Sequence, residues 1–189
     1  MTGSGQTRVW DPLVRIFHWL LVVAFFTAYF VEPEDSPIHV LAGYIVLGLI
    51  LVRLVWGFVG SEHARFSDFV YRPSVVLRYL ADTVRLRAKR YLGHSPGGGA
   101  MVVALLIALL GTTVSGLMVY GADQHAGPLE SWMAGVSDQA EHALEEVHET
   151  LANVTLALVL LHVVGVAIAS LSHRENLVKS MLTGHKRDA

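Results

Sequence analysis

The sequence predicts an all-α integral membrane protein, a four-helix bundle with both termini in the cytoplasm. Hydrophobic residues make up 53% of the 189 residues and charged residues only 16%, whereas about a quarter of the residues in a soluble domain are charged. The apolar residues gather in four long runs, and all 14 lysines and arginines fall on one side of the membrane that these runs predict. The length suits a single membrane domain over residues 1–189.

Each apolar run is long enough to cross the hydrocarbon core as a helix, which takes about 20 residues. The predicted spans are residues 13–31, 38–59, 100–120 and 148–171. The first run resembles a cleaved signal peptide, but the acidic turn Glu32-Pro33-Glu34-Asp35 follows it instead of a small-residue cleavage site. We therefore interpret it as a retained span.

The basic residues predict the orientation of the spans. The loop of residues 60–99 contains seven of the 14 lysines and arginines, whereas the loop of residues 121–147 contains none. By the positive-inside rule, the basic loop 60–99 and both termini are cytoplasmic, and the acidic loop 121–147 lies on the opposite side.

Part of the basic loop has the pattern of an amphipathic helix between Pro73 and Gly93. Apolar residues recur there at spacings of three and four against a basic face: Leu77, Leu80, Val84, Ala88 and Tyr91. We expect this helix to lie on the anionic inner leaflet, with a solvated basic linker as the alternative. The tract of residues 95–99, Ser-Pro-Gly-Gly-Gly, is expected to be a flexible joint into the third span.

The candidate functional residues are histidines. The chain has no cysteine, which excludes disulfides, iron–sulfur clusters, thiolate zinc sites and covalently attached c-type haem. Ionisable residues inside a bilayer are costly and usually functional, and four of the ten histidines lie in predicted spans: His18, His39, His148 and His162. The other six are expected at the surface: His63, His94, His125, His142, His173 and His185.

Helix geometry pairs these four histidines. His148 and His162 are 14 residues apart, so they lie on nearly the same face of the fourth span, about 21 Å apart along it. The topology then places His39 at the depth of His148 and His18 at the depth of His162. Two imidazoles that face each other across a helix bundle are what a six-coordinate haem iron requires. With both axial positions filled, electron transfer is favoured over catalysis at the metal, so no catalytic residue is predicted.

Other readings of the four histidines are weaker. Four imidazoles at two depths cannot form one tetrahedral zinc site. A proton relay or a non-redox permease would place acidic residues at mid-membrane, and the predicted spans contain none there. A permease or sensor is nevertheless kept as the alternative from another functional class.

Three further residues are candidate cofactor contacts. Arg53 follows His39 by 14 residues and so shares its face of the second span; a haem propionate would supply its counter-charge, whereas the alternative is an arginine that extends to the interface. Gly43 and Gly116 would let a flat ring approach the backbone, and ordinary helix packing by small residues is their alternative role.

Six segments carry a resemblance to a known family. They are residues 9–19 (VWDPLVRIFHW), 39–43 (HVLAG), 90–101 (RYLGHSPGGGAM), 148–153 (HETLAN), 161–165 (LHVVG) and 172–177 (SHRENL). Over nearly its whole length the chain resembles the bacterial cytochrome b-561 family and the related b-type cytochrome subunits of nickel–iron hydrogenases. The resemblance implies a bacterial inner-membrane location with loop 121–147 in the periplasm. It also implies two b-type haems, with His18, His39, His148 and His162 as the iron ligands.

The resemblance also implies partners. They are membrane lipid, a quinone (ubiquinone or menaquinone) and a second redox partner, either a c-type cytochrome or a periplasmic dehydrogenase such as a hydrogenase. Nucleic acid is not expected, and a homodimer is left open. Arg15 and His173 are the candidate quinone contacts near the inner haem, with Tyr44 and Glu149 as the alternative near the outer one. The acidic loop 121–147 is expected either to steer a basic periplasmic partner or only to set topology and solubility.

Overall fold

The computed structural model describes residues 5–31 and 36–188, so the acidic turn predicted at residues 32–35 lies outside the described residues. Four of the described helices are long and apolar enough to cross a membrane. They are α1 (Pro12–Phe30), α2 (Pro37–Val59), α5 (Pro96–Asp123) and α7 (Asp138–Ser172). These helices confirm the predicted all-α membrane fold class.

The start of α1 is fixed by Asp11, which acts as its N-cap. The Asp11 carboxylate accepts a 2.9 Å hydrogen bond from the backbone N–H of Val14, and Pro12 occupies the first helical position, where its missing N–H costs nothing. The same carboxylate accepts hydrogen bonds from the Trp56 indole at 3.0 Å and the Ser61 hydroxyl at 2.5 Å. Asp11 therefore ties the start of α1 to the end of α2.

The glycine tract does not form the predicted flexible joint, and that prediction is wrong. Residues 96–99 form the first turn of α5. The hydroxyl of Ser95 accepts a 3.1 Å hydrogen bond from the backbone N–H of Gly98, which caps this turn. An added Cβ at Gly99 would collide with the carbonyl oxygen of Phe69, a residue that is 1% exposed. Close packing against Phe69 therefore outweighs the low helix propensity of glycine.

The remaining helices are shorter. They are α3 (Phe66–Phe69), α4 (Pro73–Val84), α6 (Glu130–Met133) and α8 (Leu177–Thr183). The amphipathic helix α4 begins at Pro73 as predicted but ends well before Gly93, because Leu86 adopts a left-handed conformation with φ 57°. The N–H groups of Leu86 and Arg87 then return to the carbonyls of Thr83 at 3.0 Å and Asp82 at 2.8 Å. This is a Schellman motif, in which glycine is the usual left-handed residue, and the left-handed state costs other residues about 1–2 kcal/mol.

Two three-residue strands, which the sequence pattern did not indicate, join the ends of the chain. Strand β1 (Gln6–Arg8) pairs antiparallel with β2 (His185–Arg187), so that Thr7 lies opposite Lys186. The backbone N–H groups of Val9 and Trp10 continue the contact by donating to the carbonyl of Gly184.

The described residues form two compact units. One contains the residues up to 18, residues 52–104 and the residues from 159 onward, and the other contains residues 19–51 and 105–158. The core of the first unit is a cluster of Val9, Trp10, Val14 and Ala64, against which Trp56 and Met181 pack. In the second unit, Ile50 and Thr155 are fully buried.

Candidate functional site

Two of the candidate ligands, His39 on α2 and His148 on α7, face each other in the second unit. Their ring centroids are 6.1 Å apart, and the ring planes are inclined by 77°. His148 is 8% exposed, and His39 is half-buried. The structure therefore brings together the two histidines that the sequence pairs on this side.

Backbone carbonyls orient both of these rings. The Nδ1 atom of His39 lies 2.9 Å from the carbonyl oxygen of Ala28. The Nδ1 atom of His148 lies 3.0 Å from the carbonyl oxygen of Thr112 and 3.1 Å from the Ser115 hydroxyl. A carbonyl oxygen only accepts hydrogen bonds, so each Nδ1 carries the proton and each Nε2 keeps a lone pair for a metal. This arrangement is usual for metal-bound histidine.

A cavity adjoins this pair. Its volume is about 170 Å³, and His39, His148, Gly43 and Gly116 are among its lining residues. An added Cβ at Gly43 would meet nothing within 4 Å, whereas one at Gly116 would lie 2.8 Å from Cε1 of His148. Gly43 therefore keeps space open, and Gly116 makes room for the histidine ring.

The second histidine pair lies in the first unit. His18 on α1 and His162 on α7 have ring centroids 6.4 Å apart and ring planes inclined by 54°. Both side chains are half-buried. The sequence pairs these two residues as well, and the structure brings them together.

Both separations fit an iron atom placed between the rings. A metal–imidazole bond is about 2.0 Å long, and the ring centre lies about 1 Å behind the nitrogen, so two axial imidazoles have their centres about 6 Å apart. The observed separations of 6.1 and 6.4 Å match this value. Among the described residues, no group of three or more His, Cys, Asp or Glu side chains is placed to hold a metal ion. The donor set therefore fits a haem, whose porphyrin supplies the other ligands, better than zinc.

Arg53 is buried in the first unit, the unit that also contains His18 and His162. It is 3% exposed, so protein and not solvent surrounds its side chain. Its guanidinium lies 5.3 Å from the centre of the Phe66 ring and 5.6 Å from that of Phe69. Within the described part of the chain, one of its terminal nitrogens has no hydrogen-bond acceptor. A buried donor without an acceptor is costly, so this nitrogen fits an anionic group that the chain itself does not supply, such as a haem propionate.

One histidine expected at the surface, His94, is only partly exposed and is enclosed by aromatic rings. The ring of His94 lies 4.7 Å from that of Trp10 and 4.6 Å from that of Phe69. Burial lowers the pKa of His94 to about 3, and the positive charges of Arg53 and Lys186 add to this effect. His94 is therefore neutral at physiological pH. Its enclosing rings come from distant parts of the sequence, which explains why the surface prediction was wrong.

The candidate quinone contacts Arg15 and His173 both engage the C-terminal segment. The Arg15 guanidinium donates to the carbonyl of Leu182, and the carbonyl of His173 accepts a 3.4 Å hydrogen bond from Arg187. The side chain of Arg15 therefore helps to hold the C-terminal segment, whereas His173 does so only through its backbone carbonyl.

Three partners of the candidate ligands were missed at the sequence level. Ala28 contributes only its backbone carbonyl, so its side chain carries no signal. Thr112 likewise contributes only its backbone carbonyl. Ser115, in contrast, contributes its hydroxyl, and a polar residue in an apolar helix is a pattern that was available in the sequence.

Comparisons with known proteins show the family of the chain. A family model described as prokaryotic cytochrome b561 matches residues 9–184. The chain is 26% identical to a probable Ni/Fe-hydrogenase B-type cytochrome subunit of Azotobacter vinelandii. The alignment is 225 positions long with its gaps and covers 97% of this chain and 92% of the relative. A protein of the same description from Rhizobium leguminosarum bv. viciae is 23% identical, with 94% and 87% covered. No solved structure matches the chain.

Proposed function

Because the chain belongs to the prokaryotic cytochrome b561 family, we propose that it carries electrons through two b-type haems between a quinone and a redox partner. Membership makes it a membrane b-type cytochrome that acts in electron transfer. It also decides against the alternative of a non-redox permease or sensor. The number of haems, the ligands and the partners are the subject of the proposal.

The observation that carries the proposal is the separation of the two histidine pairs, 6.1 and 6.4 Å between ring centres. A haem iron with two axial imidazoles exchanges single electrons and offers no open position to a substrate. The hydrogen bonds from Nδ1 of His39 and His148 to backbone carbonyls hold these rings in place and make Nε2 a stronger ligand. Arg53 is the proposed propionate contact in the unit of His18 and His162.

Haem content and histidine variants test this proposal. We expect the purified protein to show a reduced-minus-oxidised haem b spectrum and two haems per chain by pyridine haemochrome. The two histidines of each pair are proposed to share one iron. His18→Ala and His162→Ala should therefore remove the same haem, and His39→Ala and His148→Ala should both remove the other haem. The haems are distinguished by redox titration of the α-band.

The matched control is His142→Ala. This residue also lies on α7, but its ring is exposed and pairs with Glu145 at 3.1 Å, so its loss should leave both haems in place. A colourless wild-type preparation would contradict the ligand assignment. So would a result in which alanine variants of the two histidines of one pair lose different haems.

A quinone is the proposed electron-exchange substrate, with Arg15 and His173 as its contacts. Quinone carbonyls accept hydrogen bonds, and both side chains are able to donate them. We expect His173→Ala to slow quinone-dependent haem oxidation or reduction while two haems remain bound. If the variant turns over quinone like the wild type, His173 is not a quinone contact.

A periplasmic dehydrogenase of the hydrogenase type is the proposed second partner, since the curated relatives are described as hydrogenase cytochrome subunits. The region of residues 121–147 offers it a surface without lysine or arginine. Its acidic residues are Asp123, Glu130, Asp138, Glu141, Glu145 and Glu146. An acidic surface accelerates association with a basic partner at low salt. Association rates that do not change with ionic strength would exclude such steering.

The proposed location is a bacterial inner membrane, with both termini and loop 60–99 in the cytoplasm. Because the chain has no cysteine, single cysteines placed at Ser74 and Ser137 report the side of each loop by labelling in intact cells. An impermeant thiol reagent should label the Ser137→Cys variant and not the Ser74→Cys variant, and the reverse result would invert the topology.

A further inference from the structure

Helix α4 presents an apolar stripe that the described part of the chain leaves uncovered. Leu77, Leu80 and Val84 lie at spacings of three and four, so they share one face, and they are 68%, 46% and 85% exposed. Another face of the helix packs inward, where the ring of Tyr79 meets that of Tyr91 at a centroid distance of 5.8 Å. The stripe is therefore a surface of the folded protein and not part of its core.

Arginines border this stripe. Arg78 and Arg85 each follow a stripe residue directly and are seven residues apart, so they lie on the same flank of the helix. Residues 71–91 contain six basic side chains, of which Arg90 is paired with Glu175, and one acidic side chain, Asp82. An apolar face with a cationic flank has the chemistry of a helix that lies in the headgroup region of an anionic membrane.

The backbone after α4 supplies an independent observation. Leu86 occupies the left-handed position of the Schellman motif with φ 57°, and its side chain is 76% exposed. Glycine at this position would avoid the strain. A large apolar residue that is both strained and exposed gains nothing from packing within this unit, which is consistent with a contact outside the chain.

We propose that the stripe of α4, together with Leu86, inserts between the headgroups of the adjacent leaflet and that Arg78 and Arg85 bind the phosphates of anionic phospholipids. The four apolar spans already place the chain in a bilayer, so lipid is the surface always within its reach. The charge balance of residues 71–91 selects anionic over zwitterionic lipid. This proposal is independent of the haem assignments.

Site-directed spin labelling tests the insertion, since the chain has no cysteine to remove. Val84→Cys places the label on the stripe, and Val75→Cys is its matched control. Both residues are exposed valines, and their separation of nine residues puts them on opposite sides of the helix. In nanodiscs that contain phosphatidylglycerol, we expect the ratio of oxygen to nickel-chelate accessibility to be several-fold higher at residue 84 than at residue 75. In nanodiscs of phosphatidylcholine alone, the difference should shrink.

Three results would overturn the proposal. Equal ratios at both sites in phosphatidylglycerol nanodiscs would show that the stripe does not insert. A difference that persists undiminished in phosphatidylcholine would remove the role of anionic lipid. Low accessibility of residue 84 to both reagents would indicate that protein, either a partner or a second copy of the chain, covers the stripe.

Two further variants, made in the Val84→Cys background, distinguish the contribution of the two arginine charges from that of the apolar anchor Leu86. Arg78→Gln with Arg85→Gln should reduce the accessibility ratio in phosphatidylglycerol and leave it unchanged in phosphatidylcholine. Leu86→Gly should raise the thermal midpoint, because the strain is relieved, and should lower the accessibility ratio, because an anchor is lost. If Leu86 only terminates the helix, Leu86→Gly will leave the ratio unchanged and contradict its anchoring role. None of these residues is a proposed haem contact, so haem content reports folding in every variant.

Discussion

Replacing Gly116 by alanine tests whether the position of the His148 ring is essential for the proposed haem. The added Cβ would lie 2.8 Å from Cε1 and 3.2 Å from Nδ1 of His148. Carbon atoms in contact prefer a separation of at least about 3.5 Å, so the ring must retreat by about 0.7 Å (3.5 − 2.8). Metal–ligand distances tolerate only about 0.2 Å. We therefore expect Gly116→Ala to weaken or break the bond from His148 to iron.

Haem content and spin state are the assays. Gly116→Ala should lower the pyridine haemochrome ratio from two towards one, or convert one haem from six-coordinate low spin to five-coordinate high spin. Gly111→Ala is the matched control on the same helix, because its Cβ would meet Leu151 at ordinary distances of 3.7 and 3.8 Å. Both changes raise helix propensity equally. Two low-spin haems in Gly116→Ala, with the same spectrum as Gly111→Ala, would refute the reasoning.

Three other changes have expected outcomes. Asp11→Ala removes the N-cap of α1 and two side-chain hydrogen bonds, so the free energy of unfolding should fall by about 2 kcal/mol. Thermal unfolding in detergent measures this change. An unchanged stability would exclude the capping role. Burial alone would raise the pKa of Glu175, but hydrogen bonds from Arg90 and the charges of Lys186 and Arg90 outweigh it, so its pKa lies below 4.5. The stability that this carboxylate contributes is present above pH 4.5 and is lost as the pH falls through the lower pKa of the folded state. Glu175→Gln should therefore flatten the dependence of the thermal midpoint on pH in that window. Arg53→Gln removes a buried cation, so the haem of the same unit should become harder to reduce. Its reduction potential should fall by roughly 60 mV for each 1.4 kcal/mol of lost stabilisation of the reduced haem. An unchanged potential, or no partial recovery of the potential in Arg53→Lys, would contradict the propionate contact.

The sequence predicted what depends on residue type and long-range periodicity. Four spans and two histidine pairs follow from hydrophobicity and helical rise, which need no knowledge of contacts. Features that depend on a few specific contacts were not predictable. The tract of residues 95–99 looked flexible by composition, yet its close approach to Phe69 makes it helical. α4 ended early because Leu86 adopts a conformation that leucine rarely takes. His94 looked like a surface residue because nothing near it in sequence encloses it.

The orientation of the His148 ring rests in part on a backbone carbonyl of α5, which the ring reaches because residue 116 has no side chain. The Thr112 carbonyl oxygen lies 3.0 Å from Nδ1 of His148 and also accepts a 2.9 Å hydrogen bond from the Ser115 hydroxyl, which itself lies 3.1 Å from that Nδ1. The residue four positions on stands beside that carbonyl, so its side chain decides whether an imidazole reaches it. Glycine at 116 leaves the approach open, whereas a methyl group would occupy the ring's position. The absence of a side chain at Gly116 thus makes room for the His148 ring, whereas at Gly43 it keeps the cavity open. Both residues are glycines in apolar runs, so the sequence alone does not reveal this difference.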